Sequence, residues 1–239
     1  RIPYPQVLRF ASPDLSPTVR RLWEAQSASP EVRELLIDLI QAARMEDCCD
    51  IAAKVAHDTQ ESPTDRVTAV TALAEMKAPG ELASLIASLL NKPHWPSRVK
   101  EGVIDPLFPK HLSAEDFVRL LGQIDVDKRS VGGIEWTLPR LISHWMIPET
   151  EVTLLRDLLA RLIEDSIERI KHWPHYTRKY RYLTSTLAAF FLRQFEDNHL
   201  PTEGLLEAAI IAVRLKNDEF GDEKPVEEVI ERLRHAPRT

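Results

Sequence analysis

The chain has 239 residues, a formal net charge of −6 at pH 7, 44% hydrophobic residues and only 7 glycines. That apolar share is too high for a disordered chain, and the acidic balance runs against a dedicated DNA-binding surface, which needs clustered Lys and Arg. No apolar run approaches the roughly 20 residues needed to cross a bilayer as a helix, and the start carries no signal-peptide pattern.

Leu, Ala, Glu and Arg abound while β-branched alternation is scarce, which predicts helices. Residues 1–15 carry three prolines and no helical period, so they read as an extended arm or linker. Tyr4, Val7, Leu8 and Phe10 make this arm too apolar to lie free; it is expected along the first helices or leading from an upstream domain. Arg rather than Met stands at position 1, which points to a processed product or a piece of something longer.

Proline then punctuates the chain. Ser16-Pro17 opens a short helix with Val19, Leu22 and Trp23 on one side, and Ser29-Pro30 opens one with Val32, Leu35, Leu36, Leu39 and Ile40. Glu46-Asp47 leads into Cys48, Ile51, Ala52 and Val55. Ser62-Pro63 caps a helix with Val67, Val70, Leu73 and Ala74, and Pro79-Gly80 starts another through Leu82, Leu85, Ile86 and Leu89. Pro96-Ser97 starts a helix that Pro106 and Pro109 should kink or stop. Arg33, Arg66 and Arg98 each sit just after a proline, 33 and 32 residues apart. Two helices in a period of the low thirties are the signature of stacked helical hairpins.

In the second half, Ser113 to Asp116 opens a helix bearing Phe117, Leu120 and Leu121. Gly132-Gly133 reads as a turn before Ile134, Leu138, Leu141 and Trp145. Thr150 to Trp173 shows the longest helical pattern, about 35 Å if continuous. Tyr180 to Glu196 follows, and Gly204 to Lys216 and Pro225 to His235 close the chain, the last acidic as a capping element would be. The fold class is therefore all-α: an α-solenoid of stacked antiparallel helix pairs, about twelve helices, with residues 16–239 as a single domain.

Chemistry is hard to place on this pattern. None of the glycines belongs to a phosphate-binding loop. His172 and His175 are close, but Pro174 breaks the register between them and no further ligand follows, so no metal or other cofactor is expected. Ser16, Ser29, Ser62 and Ser113 are explained as caps. His57, His94, His111 and His144 show no orienting acid in sequence. Adjacent Cys48 and Cys49 rarely bridge each other and read as packing residues in a reducing compartment, which makes the cytoplasm the expected location.

One segment stands out. Lys171, His172, Trp173, His175, Tyr176, Arg178, Lys179 and Arg181 interleave cations with aromatics, together with Arg169, Tyr180 and Tyr182. Such a patch suits an acidic protein surface or nucleic acid, by charge and stacking; as a solvated inter-helix loop it has a plainer explanation. The acidic stretch from Asp218 to Glu231 is the opposite pole.

With its helix pairs in view the chain looks like a HEAT-like α-solenoid. The stretches SPDLSPTVRRLWE, PTDRVTAVTALAEMKAPGE, LFPKHLSAEDFVRLLGQI and SVGGIEWTLPRLI resemble the region beyond the ATPase core of large bacterial NACHT/STAND-type NTPases. In that family a repeat sensor recognises a trigger and releases oligomerisation, and some members act in defence against phage. The resemblance transfers no catalytic residue, and the family's ATPase motifs are absent from these residues. It implies a non-enzymatic interaction or sensor module that binds a protein ligand or neighbouring domains of a larger chain, away from any membrane. The rivals are a HEAT-like nucleic-acid-binding protein or DNA glycosylase, which the overall acidity disfavours, and a purely structural spacer.

Overall fold

The computed structural model of the chain describes residues 4–26, 29–76, 78–91, 95–125, 133–165, 167–170, 173–176, 178–196, 202–215 and 224–235. The chain divides into two compact units, Arg1–Leu112 and Ser113–Thr239.

The first unit holds α1 (Tyr4–Phe10), α2 (Ser16–Gln26), α3 (Pro30–Ala43), α4 (Cys49–His57), α5 (Pro63–Glu75), α6 (Pro79–Asn91) and the short α7 (Ser97–Gly102) and α8 (Ile104–Leu107). Proline opens α3, α5 and α6, where the missing N–H costs nothing. Ser62 Oγ accepts from the Asp65 N–H, satisfying one orphan donor of α5. The C-terminus of α3 closes on Arg44, which is left-handed at φ 49°. The helix expected from Pro96-Ser97 is in two pieces, α7 and α8, that part at Val103, ahead of the prolines expected to break it; Pro106 lies inside α8, which ends at Leu107 before Pro109. The N-terminal arm is not extended throughout: Tyr4–Phe10 is helical and α1 packs on α3, with Val7 buried.

Several helices of this unit pack on the next but one as well as on a neighbour. α3 packs on α5, α4 on α6 and α5 on α7, beside the direct pairs α2–α3, α4–α5 and α5–α6. The core is the seam so formed, with Ile40, Ala52, Val55, Ala69, Val70, Leu73, Leu85 and Val99 essentially inaccessible to solvent. Small residues at Ala69 and Ala72 let α5 sit against neighbours on several sides.

The second unit holds α9 (Ala114–Leu121), α10 (Ile134–His144), α11 (Glu149–Glu164), strands β1 (Ile167–Ile170) and β2 (Trp173–Tyr176), a 3-10 helix at Arg178–Leu183, α12 (Thr184–Glu196), α13 (Glu203–Leu215) and α14 (Lys224–His235). Ser113 Oγ caps α9 through the Asp116 N–H. Here too the packing skips one helix: α9 meets α11, α11 meets α13, α10 meets α12 and α12 meets α14.

One expectation is corrected. The helix predicted over Thr150–Trp173 stops at Glu164, and an antiparallel pair follows with Ile167 opposite Tyr176 and Ile170 opposite Trp173. Apolar residues at Ile167 and Ile170 fit a helix face and a strand equally well on spacing. Pro174 lacks an N–H and biases Trp173 to extended backbone, but it excludes helix only close to itself; the stop at Glu164 goes with the pairing of β1 and β2. The protein is thus helical with one β-hairpin among the described residues.

Candidate interaction surfaces

Of the cation–aromatic candidates, Lys171 and His172 lie outside the described residues. Trp173, His175 and Tyr176 fall on β2, and Arg178, Lys179 and Arg181 on the 3-10 helix that follows, all described by backbone alone. The register sets His175 opposite Glu168 and Trp173 opposite Ile170.

Two aromatics grouped with that segment have structural work. Tyr182 is buried and its hydroxyl donates to the Leu121 carbonyl at 2.6 Å, while Tyr180 donates to the Gly122 carbonyl at 3.2 Å. These oxygens end α9, where carbonyls have no partner in their own helix. The tyrosines therefore clamp α9 from about sixty residues away, a distance over which sequence carries no local signal.

The periodic arginines also resolve into packing roles. Arg33 lies over the Trp23 ring, 4.9 Å from its centroid, and pairs with Glu61 and Asp58. Arg66 lies over Trp95 at 4.2 Å and donates from Nε to the Ala56 carbonyl at 3.0 Å. Burial pushes the Arg66 guanidinium below its usual range, partly offset by the Asp58 charge. Arg98 breaks the series and is exposed. Further bridges run from one helix pair to the next: Arg20 to Asp50 and the Asp47 carbonyl, and Arg44 to Glu75. Exposed pairs of this kind contribute little to stability.

A cleft of about 190 Å³ opens between α2 and α4, lined by Arg20, Trp23, Glu24, Asp50, Ile51 and Lys54. Its walls alternate in charge, and Arg20 is already engaged by Asp50. In the second unit, buried Arg156 donates to Gln194 Oε1 at 2.7 Å, and Gln194 in turn donates to Glu149 and Thr153. Arg193 donates to the Ile142, Trp145 and Ile147 carbonyls, capping the end of α10 from α12.

Cys48 is buried, with Sγ 3.9 Å from the Ser16 carbonyl, and desolvation raises its thiol pKa. Cys49 is raised for the same first cause. His111 Nε2 lies 3.0 Å from the Ala74 carbonyl, and the His57 ring rests against Trp95; His94 lies outside the described residues. Among the described residues no group of three or more His, Cys, Asp or Glu could hold a metal ion, and no helix is long and apolar enough to cross a membrane.

Comparison with protein-family models, with curated proteins and with solved structures finds no match to this chain.

Proposed function

We propose that the chain is a non-enzymatic interaction module: a HEAT-like solenoid whose helix pairs present a surface to a protein ligand or to neighbouring domains of a larger cytoplasmic chain. The observation that carries this reading is the packing of helices on the next but one in the rows α3–α5–α7 and α4–α6 of one unit and α9–α11–α13 and α10–α12–α14 of the other. A unit that cannot bury its apolar face alone is covered by the next along, which leaves side faces free for contact. The resemblance to the region beyond the ATPase core of bacterial NACHT/STAND-type NTPases supplies the finer role, a sensor that releases its parent for oligomerisation, in some cases against phage.

Cross-linking mass spectrometry on the product of the full reading frame, with and without nucleotide, tests this. The reading expects links from the helix faces of this chain to an ATPase domain, changing with nucleotide. A full reading frame with no such domain sinks the sensor role, and turnover of a substrate by this chain sinks the non-enzymatic one. Saturable, salt-sensitive oligonucleotide binding that is lost in Arg178→Glu/Arg181→Glu replaces both with a nucleic-acid reading.

A further inference from the structure

The two helix rows of the second unit end differently. The row α10–α12–α14 ends on α14, whose outward positions Lys224, Glu227, Glu228, Glu231 and Arg234 are charged and exposed. The row α9–α11–α13 ends on α13, where Leu206 is 41% and Ile210 46% exposed.

These two residues stand on the side of α13 away from its row neighbour. Gly204 marks the α11 side, since a Cβ there would lie 2.9 Å from Arg156 Nη2 and 3.3 Å from Asp157 Oδ1. At about 100° per residue, Leu206 stands about 160° and Ile210 about 120° round the helix from Gly204. The inner face, Leu205, Ala208, Ala209 and Ala212, is buried, most of it in a cluster with Ala188, Phe191, Val226 and Val229. The exposed pair is therefore a second apolar edge, placed where a further helix would continue the row.

The charges beside it are self-complementary. Glu203 and Glu207 lie toward the start of α13 and Arg214 toward its end, all three exposed. Their placement about the Leu206–Ile210 midpoint is nearly symmetric, with Glu203 and Arg214 about 16 Å apart along the axis. An antiparallel α13 from a second molecule sets Leu206 against Ile210 and each Arg214 against the other Glu203.

We propose that α13 is the two-fold contact of a homodimer, in which the same helix of a second copy covers Leu206 and Ile210. The interface is isologous, so one patch serves both subunits. A single helix-on-helix contact falls below the size of stable interfaces, which puts the dissociation constant at about 10–1,000 μM. The proposal does not depend on the sensor role and survives its failure.

Sedimentation equilibrium of the full chain over that concentration range is the test. The expected result is a reversible monomer–dimer equilibrium. Leu206→Asp/Ile210→Asp should weaken it at least about tenfold, with helical circular dichroism unchanged because both side chains are exposed. Arg214→Glu should weaken it by about threefold or more at low salt, and Glu203→Arg/Arg214→Glu should restore it. A chain that stays monomeric at the highest concentration overturns the proposal, as does a dimer indifferent to the aspartates or not restored by the charge exchange.

Discussion

The guanidinium of Arg66 lies 4.2 Å from the centroid of the Trp95 ring, and 98% of the surface of Arg66 is withdrawn from solvent. The pair joins three pieces of chain: α5 through Arg66, the end of α4 through the Ala56 carbonyl, and α6 through the bond from Trp95 Nε1 to Ser88 Oγ at 3.2 Å. One donor nitrogen, Nη2, is buried with no partner. The contact is therefore an ordering device held against a desolvation cost.

That balance sets apart three substitutions. Arg66→Met keeps the stem and removes the unpaired donor but leaves the Ala56 carbonyl without its partner, so it should cost about 1–2 kcal/mol. Arg66→Ala loses the packing as well and should cost about 2–4 kcal/mol. Trp95→Ala, which empties a space shared by Arg66, His57 and Ser88, should cost about 3–5 kcal/mol. Urea unfolding followed by circular dichroism measures all three; an Arg66→Met variant as unstable as Arg66→Ala would show that the charge, not the stem, holds the layers.

Arg193 makes the corresponding link in the second unit. It donates to three carbonyls at 2.8, 2.9 and 3.2 Å, all at or just past the end of α10. Arg193→Met leaves those acceptors half-buried and should cost about 2–4 kcal/mol. Arg193→Lys presents a single ammonium where a planar fork was used, and should recover less than half of the loss. Full recovery by lysine, in the same denaturant measurement, would reduce the role to one of charge.

What could be read in advance followed the range of the interactions. Starts of α3, α5, α6 and α9 were legible because Pro30, Pro63, Pro79 and Ser113 act within one turn. The apolar faces at Val70, Leu73, Leu85 and Leu120 were legible because burial follows the helical period. The helix end at Glu164 was not, since Ile167 and Ile170 suit either structure and their pairing with Tyr176 and Trp173 is tertiary. Likewise the roles of Arg33, Arg66, Arg193 and Tyr182 depend on partners between ten and about sixty residues away. The period of the arginines was visible; that two of them face tryptophans was not. The candidate segment from Lys171 to Arg181 keeps its sequence argument alone.

The two thiols should differ in rate. Desolvation raises both pKa values, and Cys48 is the more deeply buried. A raised pKa leaves less thiolate at a given pH, so both should alkylate more slowly than a free thiol, Cys48 the slower. The same shift bears on stability. With the folded value above the unfolded one, the contribution is fully present below the unfolded pKa and is lost as pH rises through the folded one. Iodoacetamide labelling followed by mass spectrometry at pH 8 reads the order; faster labelling of Cys48 would contradict its burial.

Gly102 and Val67 offer the sharpest test of how closely α7 approaches α5. A Cβ at Gly102 would lie 2.6 Å from Val67 Cγ2, closer than real Cβ contacts come. Val67 is β-branched and on a helix, so its side chain has essentially one rotamer and cannot swing aside. Gly102→Ala should therefore cost about 1–2 kcal/mol beyond any gain in helix propensity. Val67→Ala removes the obstructing methyl groups and should cost about 1 kcal/mol alone. Together the two should cost less than their sum by about 1 kcal/mol, because the second change makes room for the first. Additive losses in the double-mutant cycle would mean that α7 already stands off from α5, and the row α3–α5–α7 would lose its last member.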